Sequence, residues 1–415
     1  MRFPIAFACS LSLAQPAFAD TLIVPDDAAD LAAAVAMAQA GDTILVRTSA
    51  DQNSQGPVVL NKSLTVVGDP VCNFNLTDHA LILNGPANAR LELENVFMSY
   101  ESDPNPNANA SLAGAGFEEV VLKNCEIIHD NLAVAAPIEV TSPAAFLPDV
   151  KRVVLLDSKL VGSAVGTDQE CVVNLANFMD QAATGLSAPQ ADVFLLSSQV
   201  TGGRGGYTEK AVWPCPSDIA EWPGKGGVGL IAKSVAVTNS SVSSGPSAQW
   251  TTVFPNLCDD PATSCGAPFE AAALEVTGGV IDREVSLLGT PPSVSLSGGV
   301  QTLDIISEPQ HAGSLYFVAG SVSGSAPGLP LGSLTVPLAV PDPYFDYSLA
   351  NFNGAVLGST LGTLDENGRA QATVTLSSAL SPDLVGVSAT HACLVFDSAL
   401  APTAVSNPTE LLVAP

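Results

Sequence analysis

The chain of 415 residues carries 41 acidic and 14 basic side chains, a formal net charge of −27, although only 13% of its residues are charged. That excess argues against nucleic acid as a partner, because a duplex is held by clustered cations that displace the counterions of its phosphates. With 47% hydrophobic residues and acids scattered singly, the chain is no disordered acidic tail and can bury a long core.

Arg2, the apolar run over residues 3–13 and the small-residue sequence Ala17-Phe18-Ala19 before Asp20 read as a secretory signal, residues 1–19, cleaved after Ala19. The run is too short for a membrane span, and no later stretch supplies about twenty uninterrupted apolar residues. The expected product is therefore secreted, periplasmic or held at the cell surface. Removing Cys9 from the eight cysteines leaves an odd number, so at least one stays free or pairs between molecules. Cys258 and Cys265 flank a short, turn-rich loop and form a candidate disulfide. A metal site at that pair is the weaker reading, since no His lies near it and the spacing is not that of a zinc knuckle.

After the signal, Thr21-Leu22-Ile23-Val24 reads as a strand and Pro25-Asp26-Asp27 as a turn and helix start. Leu31, Ala34, Val35 and Ala38 then recur at helical spacing until Gly41 stops the helix. Strand signals resume at residues 42–46, 57–60 and 64–68. From there a motif repeats: an apolar residue, a small polar residue two positions on, and a second apolar residue three beyond that. It is aligned on Leu93, Leu122, Leu155, Leu195, Val237 and Val276, with spacings of 29, 33, 40, 42 and 39 residues. A regular motif with irregular connections predicts a coil whose turns stack to bury a shared interior. At the bend between strands, Asn95, Asn124, Asp157, Ser197 and Asn239 should form a polar ladder, because such residues tolerate left-handed backbone and satisfy it with side-chain hydrogen bonds. A two-sheet antiparallel sandwich is the alternative; the scarcity of two-residue hairpin signals before residue 300 argues against it.

Leu22-Ile23-Val24-Pro25, the helix ending in Ala38-Gln39-Ala40-Gly41-Asp42-Thr43-Ile44-Leu45-Val46, and Ser63-Leu64-Thr65-Val66-Val67-Gly68 resemble the opening of pectin-lyase-like right-handed parallel β-helix proteins. The resemblance implies an all-β fold, a parallel β-helix over 20–303, with the opening helix plugging the mouth of the coil and its unpaired strand edges. It carries little about activity, since that superfamily holds lyases and hydrolases of acidic polysaccharides alongside tailspikes and adhesins. Beyond residue 303 the repeat is lost. Leu361-Gly362-Thr363-Leu364, the turn Asp365-Glu366-Asn367-Gly368 and the alternating Ala370, Ala372, Val374 and Leu376 read as a hairpin. Residues 304–415 are expected to form a small β-sandwich, similar to C-terminal modules on exported proteins of planctomycete-type bacteria.

Lyase chemistry would require a base beside carboxylates that recur at outward positions of successive strands. The position after the aligned apolar residue is instead Glu94, Lys123, Leu156, Leu196 and Thr238, a mixed and increasingly apolar series. Lys151, Arg152, Asp157 and Lys159 form the densest acid-base group and His129-Asp130 a second, both readable as ordinary turn and strand polarity. No pair of acids stands out for glycosidase chemistry, and no Gly-x-Ser-x-Gly elbow is present. Gly224-Lys225-Gly226-Gly227-Val228-Gly229 matches a dinucleotide fingerprint by spacing alone, without the strand and helix that would give it meaning. The most distinctive stretch is the insertion from Gly202 to Gly229, together with Trp250 in the next loop. It gathers Tyr207, Trp213, Trp222 and Trp250, hence all three Trp of a chain with only 6% aromatics. Exposed rings beside cations suit stacking on sugars; the same rings could pack beneath their own loops. The expectation is a non-enzymatic protein with those four aromatics as ligand-binding residues and extracellular carbohydrate or cell-surface components as partners. No catalytic residue, cofactor or metal is implied, and the rival is a polysaccharide lyase or glycoside hydrolase acting on an acidic glycan.

Overall fold

The computed structural model describes residues 20–47, 58–75, 81–101, 110–130, 143–163, 183–203, 226–246, 272–377 and 381–414. The fold is all-β apart from short helices, and none of the described helices is long and apolar enough to cross a membrane. The expected signal, residues 1–19, lies outside the described residues.

Strand Thr21–Val24 pairs in parallel with Thr43–Arg47, which pairs in parallel with the start of Leu64–Asn75. Between the first two strands, Asp30 caps the helix Leu31–Met37 by accepting from the Ala33 N–H at 2.7 Å. The helix buries Leu31, Ala34 and Val35 in the same core as the strands. Its last carbonyls, which have no intrahelical partner, are met by Lys62 Nζ, 3.0 Å from Val35 O and 2.8 Å from Ala38 O.

The long strand Leu81–Glu101 continues the stack, pairing on one side with Val58–Leu60 and Leu64–Asn75 and on the other with Leu112–Lys123 and Glu126–Asp130. Arg152–Leu156, Leu186–Leu196 and Leu230–Thr238 extend the tier before the bend. Lys159–Val161, Gln199–Thr201 and Ser241–Ser243 extend the tier after it. Every pairing in this sixteen-stranded sheet is parallel, and the aligned Leu93, Leu122, Leu155, Leu195 and Val237 are successive partners.

Left-handed backbone marks the bend on each of five turns: Asn95, Asn124, Asp157, Ser197 and Asn239 have φ of 56°, 49°, 53°, 47° and 48°. The bend N–H is passed to the next turn, from Asn124 to Leu156 O at 2.8 Å, Asp157 to Leu196 O at 3.0 Å and Ser197 to Thr238 O at 3.0 Å. Side chains add rungs: Asn124 Nδ2 donates to Asn95 Oδ1 at 2.8 Å, and Asn239 Nδ2 to Ser197 Oγ at 3.2 Å. One position on lies an inner column. Ser158 accepts from the Cys125 N–H at 3.1 Å, Ser198 from the Ser158 N–H at 3.0 Å and Ser240 from the Ser198 N–H at 2.8 Å. Cys125 belongs to this column; it and Cys393 are buried free thiols, and Cys72 is buried as well. Burial pushes the Cys125 thiol up to about 12, which makes it a packing residue rather than a nucleophile.

The sixth motif departs from the expected alignment. Val280–Asp282 stacks on Val235–Val237, the strand before the bend, so Gly278 and Gly279 are not the next rung of the ladder. Val276 pairs with Ala232 rather than with Val237, and the later segment then carries one extra residue, Thr277-Gly278-Gly279 standing opposite Lys233-Ser234 with Gly278 N donating to Lys233 O at 2.6 Å. The change from parallel to antiparallel pairing also falls earlier than the boundary at 303: Val285–Thr290 already pairs antiparallel with Gly299–Ser307. Apolar Val285, Leu287 and Leu288 look in sequence like one more turn of the coil.

From Val285 onward the chain builds a four-stranded and a six-stranded sheet. Val285, Leu287, Leu303 and Ile305 from one sheet and Val318 and Val395 from the other share one core. The expected hairpin forms its turn, but its two arms do not pair with each other. Gly368 N donates to Asp365 O at 3.0 Å and Asp365 N to Arg369 O at 2.8 Å. Leu361–Thr363 then joins Leu315–Ser321, whereas Arg369–Leu376 joins Gly299–Ser307. Turn chemistry dictates the reversal, and burial of Leu364, Ala372 and Val374 in the shared core decides which sheet each arm joins.

Candidate functional site

Alternation along Val285–Thr290 and Gly299–Ser307 gives their sheet a second apolar face. Leu288 and Ile306 pack on Val121, Val154 and Leu196 of the parallel stack, with Leu156 and Phe194 at the margin. Thr238 Oγ1 and Ser286 Oγ are 2.7 Å apart in this buried seam. The increasingly apolar outward series Leu156, Leu196 and Thr238 is thereby explained, since the second unit sits on it. Arg369 reaches back from that unit to both carboxylate oxygens of Asp157.

Where the second unit does not cover the stack, an open cleft of about 1320 Å³ remains. Its floor is a column of charge in strand register: Arg90 opposite Glu119, Glu119 opposite Arg152, and Arg152 opposite Asp192. Arg90 Nε is 2.6 Å from Glu119 Oε2 and Arg90 Nη2 is 2.9 Å from Glu92 Oε2. Arg152 Nη1 lies 3.3 Å from Glu119 Oε1, and Lys123 Nζ lies 2.7 Å from Glu92 Oε1. Glu92 and Glu119, 6% and 7% exposed, thus each meet two cations. Desolvation alone would raise the Asp192 carboxyl, but hydrogen bonds from Ser234 at 2.6 Å and from Lys233 outweigh it and hold it below its ordinary value.

The Arg152 guanidinium also lies over the Phe194 ring, 4.8 Å from its centroid, within the range of a cation–π contact. Arg283 lines the cleft with no anionic partner among the described residues, and desolvation lowers its pKa. The Nε atoms of Arg152 and Arg283 are buried without a hydrogen-bond acceptor. Residues 290–293 and 407–410 of the second unit form the facing wall.

A smaller groove of about 790 Å³ follows the bend ladder. Of its charged groups, Asp157 is engaged by Arg369, Glu308 by Asn239 and Lys159 by Glu126 at 2.7 Å, whereas Asp282 is exposed. The sequence group of Lys151, Arg152, Asp157 and Lys159 is therefore divided. Lys151 and Arg152 line the cleft, while Asp157 and Lys159 lie at and beyond the bend. The side chains of His129 and Asp130 lie outside those described. No group of three or more His, Cys, Asp or Glu among the described residues is placed to hold a metal ion.

Tyr207, Trp213, Trp222, Trp250, Cys258 and Cys265 lie outside the described residues. What is described is the frame from which their loops depart. Ala183 N donates to Ser163 O at 3.3 Å, Gly203 N to Ala183 O at 2.7 Å, Gly227 N to Gly203 O at 2.8 Å and Gly245 N to Gly227 O at 2.9 Å. A Cβ at Gly203 would come within 1.7 Å of Ser163 O, and one at Gly226 within 1.9 Å of Gly245 O. Of the glycines that mimic a dinucleotide fingerprint, Gly226 and Gly229 serve close backbone approach, and Gly224 lies outside the described residues.

The charge column escaped the sequence reading, although its signal is regular. Arg90, Glu119, Arg152 and Asp192 each stand three residues before the aligned Leu93, Leu122, Leu155 and Leu195. No family model matches the chain, and no curated protein and no solved structure matches it either.

Proposed function

We propose that this is an exported, non-enzymatic protein for surface structure or for contact with carbohydrate or protein. In this reading residues 20–282 are a right-handed parallel β-helix of the pectin-lyase-like kind, plugged by the helix Leu31–Met37, and a small β-sandwich follows from Val285. Parallel pairing one motif apart and the left-handed bend ladder support the coil. The observation that carries the functional reading is the mutual pairing of charge on the outer face: Glu92, Glu119, Asp157 and Asp192 each hold a cation. A general base or a catalytic carboxyl has to be free to exchange a proton with substrate, whereas paired groups form a fixed, nearly neutral recognition surface.

The test is incubation of the mature chain with a panel of acidic and neutral polysaccharides, monitored for new reducing ends and for unsaturated uronate absorbance. No product is expected. Sustained turnover that scales with protein concentration overturns the reading in favour of a lyase or hydrolase.

A further inference from the structure

We infer that the cleft between the stack and the second unit binds a neutral, hydroxyl-rich glycan chain, gripped by Arg152 and Arg283 over a floor of mutually neutralised charge. The inference rests on the contact reading above and names the ligand and its place. At about 1320 Å³ the cleft exceeds the ~300–1,000 Å³ of small-molecule pockets, so an extended occupant fits it better than a single small one.

The floor is the face of a sheet, presenting side chains rather than a free strand edge. A peptide added as a further strand would have no backbone partners there. What the floor offers is planar, fixed donors and acceptors: Arg90, Glu92, Glu119 and Arg152 lock one another in place. Such preorganised forks match the vicinal hydroxyls of sugars, which both donate and accept. Arg283, partly exposed in the cleft and without an ion pair among the described residues, keeps guanidinium donors for a hydroxyl oxygen, which accepts without bringing charge.

Charge decides between neutral and acidic chains. Four of the fourteen cations, Arg90, Lys151, Arg152 and Arg283, line the cleft, but so do Glu92, Glu118, Glu119, Asp192 and Glu410. A polyanion would meet these carboxylates within a molecule of net charge −27, and the whole-protein field opposes its approach.

Isothermal titration with long neutral gluco-, manno- and xylo-oligosaccharides, and with oligogalacturonate and sulfated glycans, tests this on the wild type and on Arg283→Met, Arg283→Lys and Trp213→Ala. Arg283 takes part in no described ion pair, so its replacement leaves the charge column intact; circular dichroism checks the fold. At least one neutral series is expected to bind uncleaved, with affinity down about tenfold in Arg283→Met, partly restored in Arg283→Lys and unaltered in Trp213→Ala. Neutral binding undiminished in Arg283→Met but lost in Trp213→Ala overturns the cleft while leaving the contact reading standing. Preference for the acidic chains, or binding by no glycan in the panel, overturns the inference as well. Cleavage of a bound chain overturns the non-enzymatic reading instead, whichever variant shows it.

Discussion

The backbone N–H of Asn239 donates to Oε1 of Glu308 at 2.9 Å. On the three preceding turns the same N–H is satisfied by the carbonyl of the next turn, at Leu156, Leu196 and Thr238. At Asn239 the succeeding strand has left the register, and a carboxylate from the second unit takes the carbonyl's place. Glu308 thus terminates the ladder while holding the two units together. Its own N–H donates to Glu284 O at 2.8 Å, which ties the terminating residue to the linking segment.

Glu308→Ala should therefore destabilise the protein by about 0.5–1.5 kcal/mol, the range of an exposed backbone-to-carboxylate bond. Glu308→Gln, which keeps an acceptor, should lose less. Urea unfolding gives the first number, and amide exchange at Asn239 gives a local one. Unchanged protection of the Asn239 amide in Glu308→Ala would show that the cap is not holding this bend.

Removing apolar contact from the seam between the units should have a larger and less local effect. Leu288 is 3% exposed and Leu196 is 1% exposed, and both belong to the cluster that joins the units. Leu288→Ala should cost about 2–4 kcal/mol, and Leu288→Asp should uncouple the units by burying an unpaired charge. Calorimetry reads the difference as one transition in the wild type and two in Leu288→Asp. A single sharp transition in both proteins would mean that the seam does not couple them.

The bends were legible in the sequence because local chemistry alone selects them: only a few residue types sit at positive φ, and these recur at one place in each motif. The helix Leu31–Met37 was legible for the same reason, with its period and its cap contained in one short segment. The hairpin at Asp365 was half legible, since its turn is local but the partners of its arms are chosen by a core drawn from distant strands. Least legible was the cleft. Its floor depends on register between strands whose separation varies along the chain, so Arg90 meets Glu119 across 29 residues while Arg152 meets Asp192 across 40. Its facing wall comes from residues roughly a hundred or more positions later. The seam left a trace, in that Leu156, Leu196 and Thr238 were outward yet mostly apolar, and an outward apolar series is what a covered sheet face requires.

The bend ladder gives a graded test of backbone conformation. Asn124 holds φ at 49° and donates to Asn95 Oδ1. Asn124→Gly should keep the conformation and lose only that bond. Asn124→Val should add the strain of a β-branched residue in left-handed backbone, about 1–2 kcal/mol beyond the glycine variant. Equal melting temperatures for the two variants would count against strain as the reason these positions are Asn, Asp and Ser.

The loop frame predicts a sharper contrast between two glycines. At Gly203 an added methyl would collide with backbone, 1.7 Å from Ser163 O; at Gly299 it would meet the Val294 side chain at 3.1 Å. Backbone bonded into a stack cannot give way, whereas a valine can shift a few tenths of an ångström. Gly203→Ala should lower stability by about 3 kcal/mol or more, and Gly299→Ala by less than about 1 kcal/mol, each read by thermal unfolding. The frame hypothesis fails if the order is reversed.

The buried His391 in the second unit should make stability depend on pH. Its ring is fully buried; desolvation lowers its pKa from 6.5 to about 4. Nε2 lies 3.0 Å from Tyr344 Oη, while Nδ1 has no partner. In the unfolded chain the same imidazole returns to its ordinary value, so between about pH 6.5 and 4 the unfolded state binds a proton that the folded state refuses. Stability contributed by neutral burial is therefore full above the unfolded pKa and falls as pH drops toward the folded one. The full span corresponds to on the order of 3 kcal/mol at ~1.4 kcal/mol per pK unit. His391→Gln, with no titrating group, should be less stable at neutral pH through altered packing yet lose less stability on acidification. Carboxylates contribute equally to both proteins, so the comparison isolates the imidazole. Urea unfolding of the pair at pH 7 and at a pH near 4.5 measures it, and parallel losses in the two proteins would locate the acid sensitivity elsewhere.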